Sequence, residues 1–337
     1  MKRVALLLVA VALLATVSVT ANAAKTLRVA LVAADRIGDR NFMDSAREGL
    51  LKAAKDFKIQ YKILECKADA SVYYDRVLAA AENFDLVLIA PGYFFDKELA
   101  EITPRFPKVT FVYLDGATDL DGLVSIPFAE NEGSFLAGAL AGLMANHPSL
   151  KRVERSNVVG FVGGADWPVI RNFQVGYEQG VKYVSPKTRV ESVFAGTHFD
   201  PAKGKEAALE VHKKGANIIY QAAGPSGLGV LEAARDADFW AIGVDIDQCP
   251  AQPGFIMASM QKKANVAVYE TIRRGVQGTL KRGTTYPYGV KENGVGLCNC
   301  EFMHDAVPQD VIDQIADTAR KIVSGEIVVK QYVTSSN

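Results

Sequence analysis

Cysteine and histidine are scarce in this chain, four of each among 337 residues, and neither falls in a pattern that reactive chemistry demands. Cys66, Cys249, Cys298 and Cys300 do not form two pairs at ligand spacing, so the C-N-C at 298–300 is not a zinc pattern. Among His147, His198, His212 and His304, only His198 falls where a strand ends, which leaves a histidine-based triad with few candidates. Charge of one sign is also missing. Lys and Arg total 38, as do Asp and Glu, so neither a nucleic-acid footprint nor an acidic tail is present. The stretch AGPSGLG lacks the nucleophile-elbow spacing, because Leu228 stands where the second Gly belongs. It also fails G-x-G-x-x-G, which removes support for a dinucleotide site. Nothing in the sequence calls for a cofactor or a metal.

Long apolar runs are absent except at the start. Lys2 and Arg3 precede Val4 to Val19, which is almost wholly apolar, and Ala21-Asn22-Ala23 offers small residues for cleavage. This is the pattern of a secretory signal over residues 1–23, with the mature chain starting near Ala24. The run is short for a membrane anchor. No Cys stands near the cleavage site, so lipid attachment is not expected, and the mature protein should be periplasmic and soluble. Loss of Lys2 and Arg3 leaves 36 basic against 38 acidic residues, net −2. Export permits disulfides. A bridge from Cys249 to either Cys298 or Cys300 is the favoured pairing, with buried thiols as the alternative.

What is present is a large apolar fraction, 49%, in a chain long enough for two domains. TLRVALVAA (26–34), IQYKILEC, DLVLIAPG (85–92) and VTFVYLDG (109–116) read as strands, separated by helical patterns such as SAREGLLKAAKDF (45–57) and DRVLAAAENF (75–84). The second half repeats the rhythm, with strands SNVVGFVGG (156–164), RVESVFAG, NIIYQAAG (217–224) and FWAIGVDID. Apolar strands alternating with helices predict an α/β fold of two doubly wound parallel-sheet lobes. The changeover lies near SIPFAENEGSF (125–135).

In such sheets ligands sit beyond the carboxyl ends of the strands. Those ends carry Asp35 and Asp39, Pro91 to Phe94, Asp115, Gly163 to Trp167, Thr197 to Phe199, Gly224 to Gly227, and Asp245 with Asp247. Aromatic faces, carboxylates and Gly-rich turns suit a planar ligand bearing hydroxyl or N–H donors. Each feature has a structural alternative. A strand-end Asp often caps the next helix, although Pro250 and Pro253 argue against that for Asp245. Phe42 and Phe199 fit a core equally well on pattern alone. Paired carboxylates also keep a nucleoside hydrolase open.

Several segments together resemble one family. They are GDRNFMDSAREG (38–49), FVYLDG (111–116), ENEGSFLAGALAG (130–142), GFVGGADWPVIRNFQVGYEQGVK (160–182), THFDPAKGKEAA (197–208), AAGPSGLGVLEAA (222–234), AIGVDIDQ (241–248) and ASMQKKANVAVYE (258–270). They are similar to the basic membrane protein family of ABC-transporter substrate-binding proteins, which includes purine-nucleoside receptors. The resemblance implies a type I periplasmic binding protein fold, with lobes joined by three crossovers that close on a ligand and perform no chemistry on it. The lobes would comprise 24–127 plus about 257–288, and 128–256 plus about 289–337. The resemblance implies that Phe42 and Phe199 sandwich a base, that Asp35 and Asp115 touch it, and that Gly224 approaches by its backbone. Asp245, paired with Lys262, would hold ribose hydroxyls, while Asp247 braces the loop. Trp167 would add a third aromatic. The implied partners are a nucleoside or nucleobase and an inner-membrane ABC permease, with the receptor a monomer. A sensor subunit serving a membrane receptor is the runner-up. Departures from the pattern lie at Asp39 to Met43, where the family often reads D-x-S-F-N.

Overall fold

The structure is a computed structural model that describes residues 26–150, 153–298 and 306–333. The expected signal segment and Cys300 lie outside the described residues. Strands β1 (Arg28–Ala33), β2 (Gln60–Glu65), β3 (Leu86–Ala90), β4 (Thr110–Leu114) and β5 (Val124–Ile126) alternate with α1 (Phe42–Phe57), α2 (Tyr73–Asn83) and α3 (Asp96–Ile102). After α4 (Glu130–Met144) come β6 (Val158–Gly163), α5 (Pro168–Val184), β7 (Arg189–Phe194), α6 (Pro201–Lys213), β8 (Ile218–Ala222), α7 (Gly227–Asp236) and β9 (Trp240–Asp245). The chain continues through β10 (Ile256–Lys262), α8 (Ala264–Val276) and β11 (Val295–Leu297), then α9 (Gln309–Ser324).

The first sheet has the order β2-β1-β3-β4-β5 and is parallel throughout. The second has the order β11-β10-β9-β8-β6-β7, parallel except for β11 at its edge. Strands β1 and β8, beside the switch points of their sheets, are buried almost end to end, as a sheet covered twice by helices requires. Each sheet reverses its strand order once, between β1 and β3 and between β6 and β8. These switch points open crevices at the strand ends, and the two crevices face each other.

Local chemistry sets the helix ends that matter. The predicted helix at 45–57 begins earlier, at Phe42, because the Asp39 carboxylate accepts the backbone N–H groups of Asn41 at 2.9 Å and of Met43 and Asp44 at 3.1 Å. The α4 and α5 helices approach closely through glycines. A Cβ on Gly138 would overlap the Tyr177 carbonyl, and one on Gly180 the Phe135 carbonyl.

Among the described residues, three connections join the lobes. The chain passes from β5 to α4, from β10 to α8, and back along residues 284–288, which run parallel to 125–128. One boundary differs from expectation. Residues 257–262, placed with the first lobe, are strand β10 and pair with β9 in the second sheet, so the crossing follows Lys262. An apolar strand reads alike in either sheet, and only its hydrogen-bond partner decides. Among the described residues, no helix is long and apolar enough to cross a membrane.

Candidate functional site

A cavity of about 660 Å³, counted to its open mouth, lies between the two sets of strand ends. The first lobe supplies Asp35 after β1, Asn41 and Phe42 at the start of α1, Tyr93 and Phe94 after β3, and Asp115 after β4. The second lobe supplies His198 and Phe199 before α6, Gly224 after β8, Asp245 at the end of β9 and Lys262 at the end of β10. Seven of the eight residues singled out from sequence therefore share one cavity. The eighth, Trp167, lines an adjoining cavity and stands beside the mouth. Its ring lies 5.9 Å from Tyr93, 5.2 Å from Phe94 and 5.0 Å from His198. Phe94 also meets Phe199, with 6.2 Å between centroids, so aromatic rings bridge the lobes.

The two stacking candidates differ in setting. Phe42 is 7% exposed and packs edge-on against Phe128, at 6.1 Å and 87°. Phe199 is 40% exposed, an unusual position for a ring that packing alone would bury. Asp115 and Asp245 both adopt left-handed backbone conformations, φ 73° and 67°. For non-Gly residues this is uncommon, and it turns the chain sharply where each strand stops. Gly224, at φ 56°, takes the same region without penalty.

Charge is unbalanced. Asp35, Asp39, Asp115 and Asp245 line the cavity with Lys262, and Glu130 stands behind it. Lys262 is 2% exposed. Its ammonium forms an ion pair with Asp115 and a second with Glu130 at 3.1 Å, and lies 5.1–5.5 Å from the ring centres of Phe42, Phe128 and Phe173. This corrects the expected pairing of Lys262 with Asp245. The crossover into α4 brings Glu130 beside the end of β10, and Asp115 reaches Lys262 from the other lobe. Asp245 acts on the ammonium only at longer range.

Burial works against the charge of Lys262, but the carboxylates of Asp115, Glu130 and Asp245 outweigh it and hold the ammonium firmly protonated. Burial pushes the carboxyls of Glu130 and Asp245 up to about 7 and that of Asp39 up to about 6, against the opposing pull of Lys262 on the first two. The His198 imidazole is driven down to about 4 by burial and by Lys262, so it is neutral near pH 7. Among the described residues, Asp35 Oδ1, Asn41 Nδ2 and His198 Nε2 are buried polar atoms around the cavity with no hydrogen-bond partner, while Asp115 Oδ1 has only its ion pair with Lys262. Buried polar groups are ordinarily paired, so the first three are the atoms a ligand would satisfy.

Asp247 braces its loop, as expected, by accepting the Cys249 N–H at 3.0 Å. Cys249 and Cys298 are neighbours, but their Sγ atoms are 3.9 Å apart, well beyond a bond of about 2.05 Å. Sequence reasoning missed Asn41, Glu130 and Gln248. Glu130 lay within ENEG at the changeover, in the first turn of a helix, where an acidic residue needs no further explanation. Asn41 and Gln248 are neutral amides, and nothing in their spacing marks them.

Two facing doubly wound lobes, three connections and one cleft between strand ends define a type I periplasmic binding protein, the class of two-lobed solute receptors. Within that class, the chain matches the Bmp family, described as ABC transporter substrate-binding protein PnrA-like, over residues 26–332, and it belongs to that family. It is 31% identical over 317 residues to the CD4+ T-cell-stimulating antigen of Listeria monocytogenes, covering 88% of this chain and 85% of the relative. It is 30% identical over 334 residues to the ABC transporter nucleoside-binding protein BmpA of Lactococcus lactis, covering 92% and 91%. A crystal structure of an ABC transporter solute-binding protein from Aeropyrum pernix superposes with a TM-score of 0.80 at 25% identity, covering 91% and 94%.

Proposed function

We propose that this chain is the receptor of an ABC importer and binds a purine nucleoside in the interlobe cleft. The observation that carries this reading is the joint lining of one cavity by Phe42 from the first lobe and Phe199 from the second, with Asp35 and Asp245 beside them. Two rings from opposite lobes suit the two faces of a planar base. Asp35 Oδ1, which has no hydrogen bond among the described residues, accepts from a ring N–H, and Asn41 Nδ2, likewise without one, donates to a ring nitrogen or carbonyl. Asp245 accepts from ribose hydroxyls, a charge-assisted bond stronger than a neutral one. Lys262 stays with Asp115 and Glu130 and sets the electrostatic floor beneath the sugar. The nucleoside-binding relative from Lactococcus lactis supports the ligand class.

Binding draws the lobes together, and the closed form is what a membrane permease reads. The ligand leaves unchanged, so the chain acts as a carrier and not as an enzyme. The receptor works outside the cytoplasm as a monomer, exported by the N-terminal segment of residues 1–23.

Thermal unfolding of refolded protein against nucleosides, nucleobases, sugars and amino acids tests the reading. A ligand at a hundredfold over its dissociation constant adds about 2.7 kcal/mol of stability. Stabilisation by purine nucleosides is expected. Stabilisation by free bases alone would retire the role of Asp245, and stabilisation by sugars alone would retire the ligand class.

A further inference from the structure

A chain of side-chain amides crosses the cleft. The Ala223 N–H donates to Gln221 Oε1 at 3.0 Å. Gln221 Nε2 donates to Gln248 Oε1 at 2.8 Å, and the Val244 N–H donates to the same oxygen at 3.0 Å. Gln248 Nε2 then donates to the Arg40 carbonyl at 3.2 Å and to Asn41 Oδ1 at 3.0 Å. The three side chains are 0%, 3% and 1% exposed, for Gln221, Gln248 and Asn41. Asn41 Nδ2, at the end of this relay, has no hydrogen-bond partner among the described residues, and Asn41 lines the ligand cavity.

The direction of this relay is not free. A backbone N–H can only donate, which fixes the oxygens of Gln221 and Gln248. A backbone carbonyl can only accept, which fixes the Gln248 nitrogen at Arg40. Turning any one amide over would set donor against donor and acceptor against acceptor in a buried site, where each unmade bond costs about 1–3 kcal/mol. Asn41 must therefore show its oxygen to Gln248 and its N–H groups to the cavity. Glycines make the room. A Cβ on Gly243 would stand 2.7 Å from Gln248 Oε1, and one on Gly227 would overlap Gln221.

Gln221 and Gln248 belong to the second lobe and Asn41 to the first, so the relay is complete only when the lobes meet. We infer that Gln248 is a specificity-determining positioning residue, which reaches across the cleft and sets Asn41 as an obligate hydrogen-bond donor to the ligand. Recognition at that point then exists only in the closed receptor. The geometry of the relay is independent of the ligand's identity, whereas its readout below rests on the nucleoside reading.

The test uses adenosine and inosine, which exchange donor for acceptor along the purine edge at N1 and C6. Dissociation constants are measured by calorimetry for the wild type, Gln248→Glu and Gln248→Met, with thermal unfolding as the folding control. A carboxylate at 248 offers only acceptors, so the Asn41 amide turns over and presents its oxygen to the cavity. The adenosine-to-inosine preference should shift by about tenfold or more in Gln248→Glu. It should move toward equality in Gln248→Met, where the Asn41 amide is no longer held. Should Gln248→Glu not fold, Gln248→Met carries the test. Equal weakening of both ligands by each variant overturns the inference, because impaired closure alone acts on both alike. If the wild type binds neither nucleoside, the nucleoside reading fails, and the relay is judged by the ¹⁵N side-chain amide resonances of Asn41. These move in both variants if the relay holds, and unmoved resonances overturn it.

Discussion

At the scale of single residues, the cleft is a place where ordinary packing rules are suspended. Asp35 keeps a buried oxygen without a hydrogen bond, Phe199 leaves 40% of itself exposed, and Asp115 and Asp245 hold left-handed backbone. Such exceptions gather where a ligand supplies what the chain withholds. Phe42→Ala and Phe199→Ala should each weaken nucleoside binding by about 1–3 kcal/mol in a titration, through lost stacking. Unchanged affinity in both would remove the rings from the site. Lys262→Met leaves Asp115 and Glu130 buried without their cation. It should lower stability by roughly 3–5 kcal/mol in urea unfolding. A variant as stable as the wild type would show that the ion pairs are dispensable. Asp115 and Asp245 were legible in the sequence because apolar strands stop on them. Glu130 was not, because an acid in a helix's first turn is commonplace. Asn41 and Gln248 were not, because an amide's importance lies in whom it faces, and that is known only after folding.

At the scale of elements, the α4–α5 pair is the rigid frame of the second lobe. Gly138 and Gly180 let the two helices touch backbone to backbone. Gly138→Ala should destabilise by about 1–3 kcal/mol, because the added methyl must push against a carbonyl and not a flexible side chain. A denaturation midpoint equal to wild type would mean that the helices separate freely. The strand and helix order was readable from the alternation of apolar runs and amphipathic segments. The start of α1 at Phe42 was not, since the Asp39 cap works through backbone N–H groups that pattern does not display. Nor was the sheet that β10 joins, since a strand with both faces covered carries no mark of which sheet it will enter.

At the scale of the whole molecule, the excess of buried carboxylates links folding and binding to pH. The carboxyls of Asp39, Glu130 and Asp245 titrate higher in the folded chain than when unfolded, at about 6, 7 and 7. Between about pH 4 and 7 the folded state therefore holds protons that the unfolded chain has released. Stability contributed by these groups is full below that window and is lost as pH rises through it, by up to about 1.4 kcal/mol per pH unit for each group. Calorimetric unfolding of ligand-free protein should show a transition temperature that falls from pH 5 to pH 7.5, and Glu130→Gln should flatten the fall. A profile that rises over the same range would contradict the account. Binding has the opposite sign, since a ribose hydroxyl favours ionised Asp245, so affinity should drop as pH falls below about 7.

The most direct test of the central claim compares a nucleoside with its own base. Inosine and hypoxanthine differ only by the ribose, the part of the ligand proposed to meet Asp245. Isothermal titration of refolded wild-type protein and Asp245→Ala with both ligands should show inosine bound more tightly than hypoxanthine. The substitution should cost inosine about 1–3 kcal/mol and leave hypoxanthine nearly unchanged. No binding of inosine by the wild type, or equal losses for the two ligands, would contradict it.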